Sequence, residues 1–281
     1  MDSQIIGQIN FNEVDLKKDI QTINNFQFSD AYSEFRSGTW KTCTLWNFSG
    51  LSGDSLLYEY RGVPQKTEMG MQLPYINQII EKIFCTEKIQ IVRVVCSENN
   101  GLIFPHRDYL DLENGFTRVH IPLMIDENCM NTERDTVFSM RKGEIWYLEA
   151  RVIHSAGSFL GSKKYSLVLD FLPNTPIKEL FKDLSYYNTN VEPLLIERSP
   201  LTEEELDSIL NLKHLINEAN FMDIATILAK VPFFKNVTNE TFFWWLNKIT
   251  AGSNNPTLVK KAKKMKNLFL EEKEELYQPV K

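Results

Sequence analysis

Three residues near the middle of the chain have the types and spacing of a metal centre: His106 and Asp108 in Pro105-His106-Arg107-Asp108, and His154 in His154-Ser155-Ala156-Gly157. Two neutral imidazoles and one carboxylate on one face of an octahedral ion leave three positions open, the arrangement of non-haem Fe(II) oxygenases. Open positions let a co-substrate and dioxygen sit together, which a fully protein-ligated metal would prevent. His106 and Asp108 are two residues apart, so on a strand or its end they leave from one face, whereas a helix would turn them roughly 200° apart. The apolar run Leu102-Ile103-Phe104 and the extended geometry favoured before Pro105 argue for the strand. A lone His-x-Asp is a common accident. Here, however, three of the four histidines (His106, His120, His154) fall in one β-rich block, with only His214 outside it. Buried ionisable groups are unusual unless paired or metal-bound.

The elements that must position these residues can be read from periodicity. Strands are expected at 117–125, 136–140, 144–149 and 164–171, with a turn at Arg141-Lys142-Gly143. Upstream, 15–26 reads as a short helix, 40–48 as a strand, 72–84 as an amphipathic helix and 89–96 as a strand. That last strand carries Arg93 inside Ile-Val-Arg-Val-Val. An unpaired guanidinium in a core is very costly, so Arg93 is either in a structural ion pair or held as a fork for a substrate carboxylate. The same choice applies to Arg118, which alternation places on the face of His120. Beyond Pro173 the β character fades, and 176–200 reads as a proline-rich linker. Thr202 and Glu205 form a capping box that opens a helical tail, with helices at 202–211, 213–230, 238–249 and 256–273. Phe233, Phe234, Phe242, Phe243, Trp244 and Trp245 must find burial in this tail, against the β core or across a homodimer contact.

Composition sets outer bounds. A chain of 281 residues, 43% hydrophobic, is long enough for one large core with a smaller appended domain. A net charge of −6 argues against a nucleic-acid partner, because phosphate-binding surfaces show a basic excess. The first residues lack the pattern of a signal peptide and no apolar run reaches membrane-spanning length, so a soluble, cytoplasmic protein with no membrane contact is expected. Four scattered cysteines suggest neither a disulfide framework nor a zinc site.

The order of motifs adds a further reading. His-x-Asp is followed by Arg118-x-His120-x-Pro122, Gly143-Glu144-x-Trp146, His154-Ser155-Ala156-Gly157 and a basic residue ten positions later. This series resembles the Fe(II)/2-oxoglutarate-dependent dioxygenases related to aspartyl/asparaginyl β-hydroxylases, and among them the bacterial L-proline cis-4-hydroxylases. The resemblance covers nearly the whole chain. It implies a mainly β fold with helical additions: a double-stranded β-helix (jelly-roll, cupin-like) over 1–175, the linker, and an α-helical C-terminal domain over 201–281. It also implies a reaction in which Fe(II), 2-oxoglutarate and O2 hydroxylate a free amino acid, L-proline first, and release succinate and CO2. By the same resemblance Lys164 clamps the distal carboxylate of 2-oxoglutarate, where arginine is commoner, with Lys163 as the neighbouring alternative. His120, Arg118 and Ser166 are further co-substrate contacts. Tyr32, Phe35 and Trp40, with Arg93 and Arg118, are expected around the substrate, and Tyr109 over the metal. Two alternatives stand beside this one. The substrate is another free or peptide-held amino acid, such as pipecolate, lysine, arginine, aspartate or asparagine, or the chain is a non-catalytic β-barrel that binds a small acid.

Overall fold

The computed structural model describes residues 1–29, 33–55, 62–108 and 115–270. In chain order its first half contains β1 (Gln4–Gln8), α1 (Glu13–Ile23), β2 (Arg36–Asn47), β3 (Gln65–Lys66), α2 (Glu68–Met71), α3 (Pro74–Ile83) and β4 (Ile89–His106). The barrel is completed by β5 (Thr117–Met124), β6 (Cys129–Glu133), β7 (Thr136–Ser139), β8 (Glu144–Leu148), β9 (His154–Ser158), β10 (Lys163–Phe171) and β11 (Leu194–Leu195). Four helices follow: α4 (Glu203–Leu210), α5 (Phe221–Phe234), α6 (Thr241–Gly252) and α7 (Pro256–Leu270).

Among the described residues the strands form one curled sheet in the order β1-β8-β5-β10-β4-β9-β6-β7-β11, with β2 added along β4 and β3 along β2. The curl depends on β4, which serves both layers. Its first part pairs with β10, and its last part pairs with β9 through Leu102, Ile103 and His106. Between them Asn99 and Asn100 take left-handed φ values of 53° and 59°, which asparagine tolerates better than most residues. Opposite this corner Gly38 has φ 67°, and a Cβ there would meet the Asn100 carbonyl oxygen at 2.9 Å. The result is the mainly β, jelly-roll core with helical additions expected from the sequence.

Alternation sorts each strand into two faces. On β10, Tyr165, Leu167, Leu169 and Phe171 join Val92, Val94, Val119, Ile121 and Ile145 in a core covered by α1 and α3. Asp19 of α1 accepts a hydrogen bond from the Ile76 N–H at the start of α3 (2.8 Å), which fixes those two helices together. The opposite face, carrying Lys164, Ser166, Val168 and Asp170, looks into the barrel.

The C-terminal helices cover the other layer. Leu102, Phe104, Met130, Val137 and Phe159 from the strands share one apolar cluster with Leu228, Phe233, Phe242, Trp245, Leu246 and Phe269. Most of the tail's aromatic residues therefore find burial within the chain, while Phe234 and Trp244 stay about half exposed. The segment expected as a linker is tied to the barrel: β11 pairs with β7, and the Asn188 N–H donates to the Ile6 carbonyl (2.9 Å). The expected helix over 213–230 is corrected. Asn217 Oδ1 accepts from the N–H groups of Ala219 and Asn220 and makes a turn, so α5 starts only at Phe221 and runs on through Pro232. The cysteines are free, and Cys43, Cys96 and Cys129 are buried. No helix of the described residues is long and apolar enough to cross a membrane.

Because the helices and barrel share one cluster, they should unfold together. Phe242→Ala, at a fully buried site stacked on Phe104, is expected to cost about 3–5 kcal/mol. Denaturant titration read by far-UV circular dichroism and by tryptophan fluorescence should give one coincident transition at a lower midpoint; two separated transitions would contradict the shared core.

Candidate active site

The centre is built at the seam between two strands. His106 ends β4 and faces His154, the first residue of β9, as a direct cross-strand pair, and their rings lie 4.4 Å apart. Asp108 sits just past the strand end, where main-chain contacts hold it: its N–H donates to the Ala150 carbonyl (2.8 Å) and that of Arg107 to the Phe269 carbonyl (2.9 Å). One ligand atom from each of His106, Asp108 and His154 falls within 4.8 Å of the others. His106 Nε2 is 3.4 Å from Asp108 Oδ1, and His154 Nε2 is 3.5 Å from Asp108 Oδ2.

The tautomers suit a metal. Nδ1 of His106 donates to the Phe104 carbonyl (2.7 Å) and Nδ1 of His154 to the Val152 carbonyl (2.9 Å), which leaves both Nε2 lone pairs aimed at Asp108. Burial, and then the neighbouring His154, lower the His106 pKa and favour the neutral imidazole. Burial alone would raise the Asp108 carboxyl, but the Arg118 guanidinium and both imidazoles outweigh it and hold the group well below the usual carboxylate range. In His154, contact with Asp108 outweighs burial and raises the pKa. With both Nδ1 atoms committed to carbonyls, two Nε2 donors and one carboxylate form a ligand set that fits Fe(II).

Behind Asp108 lies a chain of buried charges. Arg118 Nη1 donates to Asp108 Oδ2, and its Nε and Nη2 donate to Asp170 Oδ1 (2.7 Å) and Oδ2 (3.3 Å). Asp170 Oδ2 also accepts from Arg93 Nη2 at 2.6 Å. Sheet register explains the meeting: Asp170 pairs with Arg118 across β10 and β5, and Val168 pairs with both Arg93 and His120. Arg93 is thus engaged in an ion pair rather than standing as a fork without an anion.

On the same face, at the other end of β10, Lys164 is 5% exposed and its Nζ approaches Asn131 Oδ1 across the barrel (3.4 Å). No carboxylate of the described residues neutralises it, and burial pulls its pKa down to about 8. Two polar groups on these strands, Asn131 Nδ2 and Ser166 Oγ, have no hydrogen-bond partner among the described residues. Asn131 stands opposite Ala156, two positions along β9 from His154. Lys164 therefore reaches a side chain whose register partner is about 7 Å along β9 from His154, at a rise of 3.2–3.4 Å per residue. His120 also faces the interior, where burial and the cations Arg118 and Lys164 push its pKa well down and keep it neutral.

Of the expected pocket walls, Phe35 packs 5.7 Å from His106 and 4.5 Å from Phe269, and Trp40 lies in register with Ser97 on β4. Tyr32 and Tyr109 lie outside the described residues. Lys163 points away from the interior and pairs with Glu98 (3.2 Å), so the barrel cation is Lys164. Glu133, opposite His154 in register, is taken up by the Ser3 N–H (3.0 Å) and anchors β1. Sequence reading missed Asp170 and Asn131. The signal for Asp170 was present: a carboxylate in Leu-Val-Leu-Asp-Phe, on the face of Lys164, demands a buried partner as much as Arg93 does.

Residues 10–173 match a family model described as aspartyl/asparaginyl beta-hydroxylase, and residues 177–278 match one described as L-proline 3-hydroxylase, C-terminal. The chain is 33% identical to an L-proline cis-4-hydroxylase of Rhizobium meliloti, over 98% of each chain. It is also 33% identical to L-proline cis-3-hydroxylase 1 of a Streptomyces species, over 96% of this chain and 95% of that one. A solved 2OG-Fe(II) oxygenase-family protein from Burkholderia pseudomallei is similar at 11% identity and a TM-score of 0.40, over 58% of this chain and 79% of the other. With a family match across the barrel and relatives aligned end to end, the chain belongs to the aspartyl/asparaginyl β-hydroxylase family of 2-oxoglutarate-dependent dioxygenases.

Proposed function

We propose that this enzyme hydroxylates free L-proline at C4 on the cis face, with Fe(II), 2-oxoglutarate and O2. The observation that carries the reading is the pairing of a His-Asp-His triad with a buried lysine that has no carboxylate partner among the described residues, inside one barrel. His106, Asp108 and His154 hold the iron. Bound there, the metal supplies the redox chemistry by which dioxygen converts 2-oxoglutarate to succinate and CO2 and hydroxylates one C–H bond of the amino acid.

The protein's own groups do the rest. Lys164 neutralises the distal carboxylate of the co-substrate, and Asn131 Nδ2 and Ser166 Oγ donate the hydrogen bonds they lack without it. Neutral His120 has one N–H to offer a carboxylate and adds no second buried cation. Phe35 covers one side of His106 with an apolar ring, which excludes water beside the metal and suits a pyrrolidine substrate. The named activity of the full-length relatives supports L-proline. A second reading, hydroxylation at C3, is favoured by the match of residues 177–278 to the proline 3-hydroxylase C-terminal family.

Purified protein supplied with Fe(II), 2-oxoglutarate, oxygen and L-proline should form succinate and hydroxyproline in equal amounts, and His106→Ala should form neither. NMR of the product separates cis-4 from cis-3. Succinate stimulated by pipecolate, lysine or arginine but not by proline would replace the substrate assignment.

Lys164 gives a pH prediction. The protonated ammonium binds a carboxylate, and its pKa in the unliganded protein is about 8. The apparent KM for 2-oxoglutarate should therefore be flat below pH 8 with respect to this group. Above pH 8 it should climb, approaching about tenfold per pH unit as the free enzyme loses the proton. Lys164→Gln should raise that KM roughly 10- to 100-fold, as loss of a hydrogen bond to a charged group implies, and should flatten the alkaline rise.

A further inference from the structure

Asp170 is a buried carboxylate outside the triad whose partners include two guanidinium groups. It is 0% exposed and lies on β10. It receives Nε and Nη2 of Arg118 on its two oxygens and Nη2 of Arg93 on one of them. Arg118 presents the remaining edge of its guanidinium to Asp108 Oδ2.

The planar fork makes this arrangement informative. A guanidinium gripped at Nε and Nη2 by one carboxylate has its plane fixed, so the direction of Nη1 is fixed too. Without Asp170, Arg118 keeps a long flexible stem, and Nη1 no longer has a set position against Asp108. We propose that Asp170 is a positioning residue for the metal-binding carboxylate. Each oxygen of Asp108 lies beside one histidine, Oδ1 3.4 Å from His106 Nε2 and Oδ2 3.5 Å from His154 Nε2; through Arg118, Asp170 engages Oδ2 with the guanidinium and leaves Oδ1 as the oxygen offered to the metal. The two guanidinium and two carboxylate groups of Arg93, Arg118, Asp170 and Asp108 also sum to zero charge, so the ordering costs no net buried ion.

This inference rests on the triad being the metal site, and its test separates the two. The probe is Co(II), titrated anaerobically into full-length, metal-free protein and followed both by binding isotherm and by the visible d–d absorption of the bound ion. Wild-type protein should bind one equivalent and His106→Ala none. Asp170→Asn, similar in shape but uncharged, should weaken Co(II) about 10- to 100-fold, the usual effect of losing an outer partner of a metal ligand. It should also shift the d–d bands, because Asp108 can then offer both oxygens. A merely structural residue would change thermal stability and leave those bands in place. Asp170→Asn alone strands a buried cation, so the pair Asp170→Asn/Arg93→Met, which removes one charge of each sign, serves if the single variant does not fold. It should show the same weakened binding and shifted bands. Wild-type affinity and bands in a folded Asp170 variant, beside a wild type that binds, would overturn this inference alone. No Co(II) binding by the wild type would overturn the metal-site reading and this inference with it.

Discussion

Everything at the centre depends on the cost of keeping ions away from water. The barrel interior holds Arg93, Arg118 and Lys164 against Asp108 and Asp170, in surroundings where an unpaired charge is worth several kcal/mol of instability. Four of these five groups satisfy one another in a continuous ladder from β4 through β10 and β5 to the strand end at Asp108. The fifth does not. Among the described residues, Lys164 is the cation inside the barrel for which no carboxylate partner is found, and its sign and burial suit an anion.

That ladder needs register, and register comes from the outer face. A slip of one residue on β10 would turn Lys164, Ser166 and Asp170 outward and bring Tyr165, Leu167 and Leu169 into the barrel. The slip is resisted because the apolar set is already packed under α1 and α3. The other layer is held in the same way from behind, with Phe104 stacked between Phe242 and Phe269. Phe269 also receives the main-chain N–H of Arg107, between two of the ligands. The helical tail, as far as it is described, braces the strand end from which the ligands project.

Much of this was legible in the sequence because it rests on period and residue type. The 2-residue alternation of β4, β5 and β10, the His-x-Asp step and the basic residue ten positions after His154 are one-dimensional signals. Beside the short strands β1, β3 and β11, two missed strands share a cause. Cys-Met-Asn-Thr-Glu of β6 and His-Ser-Ala-Gly-Ser of β9 are short, polar or small-residue strands. Their pairing is imposed by β4 and β7 rather than by β propensity. Helix α5 began late because an asparagine turn outcompeted the apolar period ahead of it. For Arg93 the sequence posed the correct pair of alternatives, ion pair or fork, but could not choose: the deciding partner, Asp170, is 77 residues away and only the β10·β4 register brings it near.

The placement of the thiols has a bearing on the enzyme's durability. Iron that reduces dioxygen generates reactive oxygen species whenever a turnover misfires, and a cysteine is attacked mainly as its thiolate. Burial pushes Cys43 up to about 12 and Cys96 up to about 11, so at neutral pH both are almost wholly protonated as well as shielded. Both lie in the apolar core on the α1 and α3 side of the sheet, so the barrel wall separates them from the iron ligands. The same two-faced sheet that sets the register thus also screens these two thiols, whereas Cys129 lies close enough to Lys164 to interact with it.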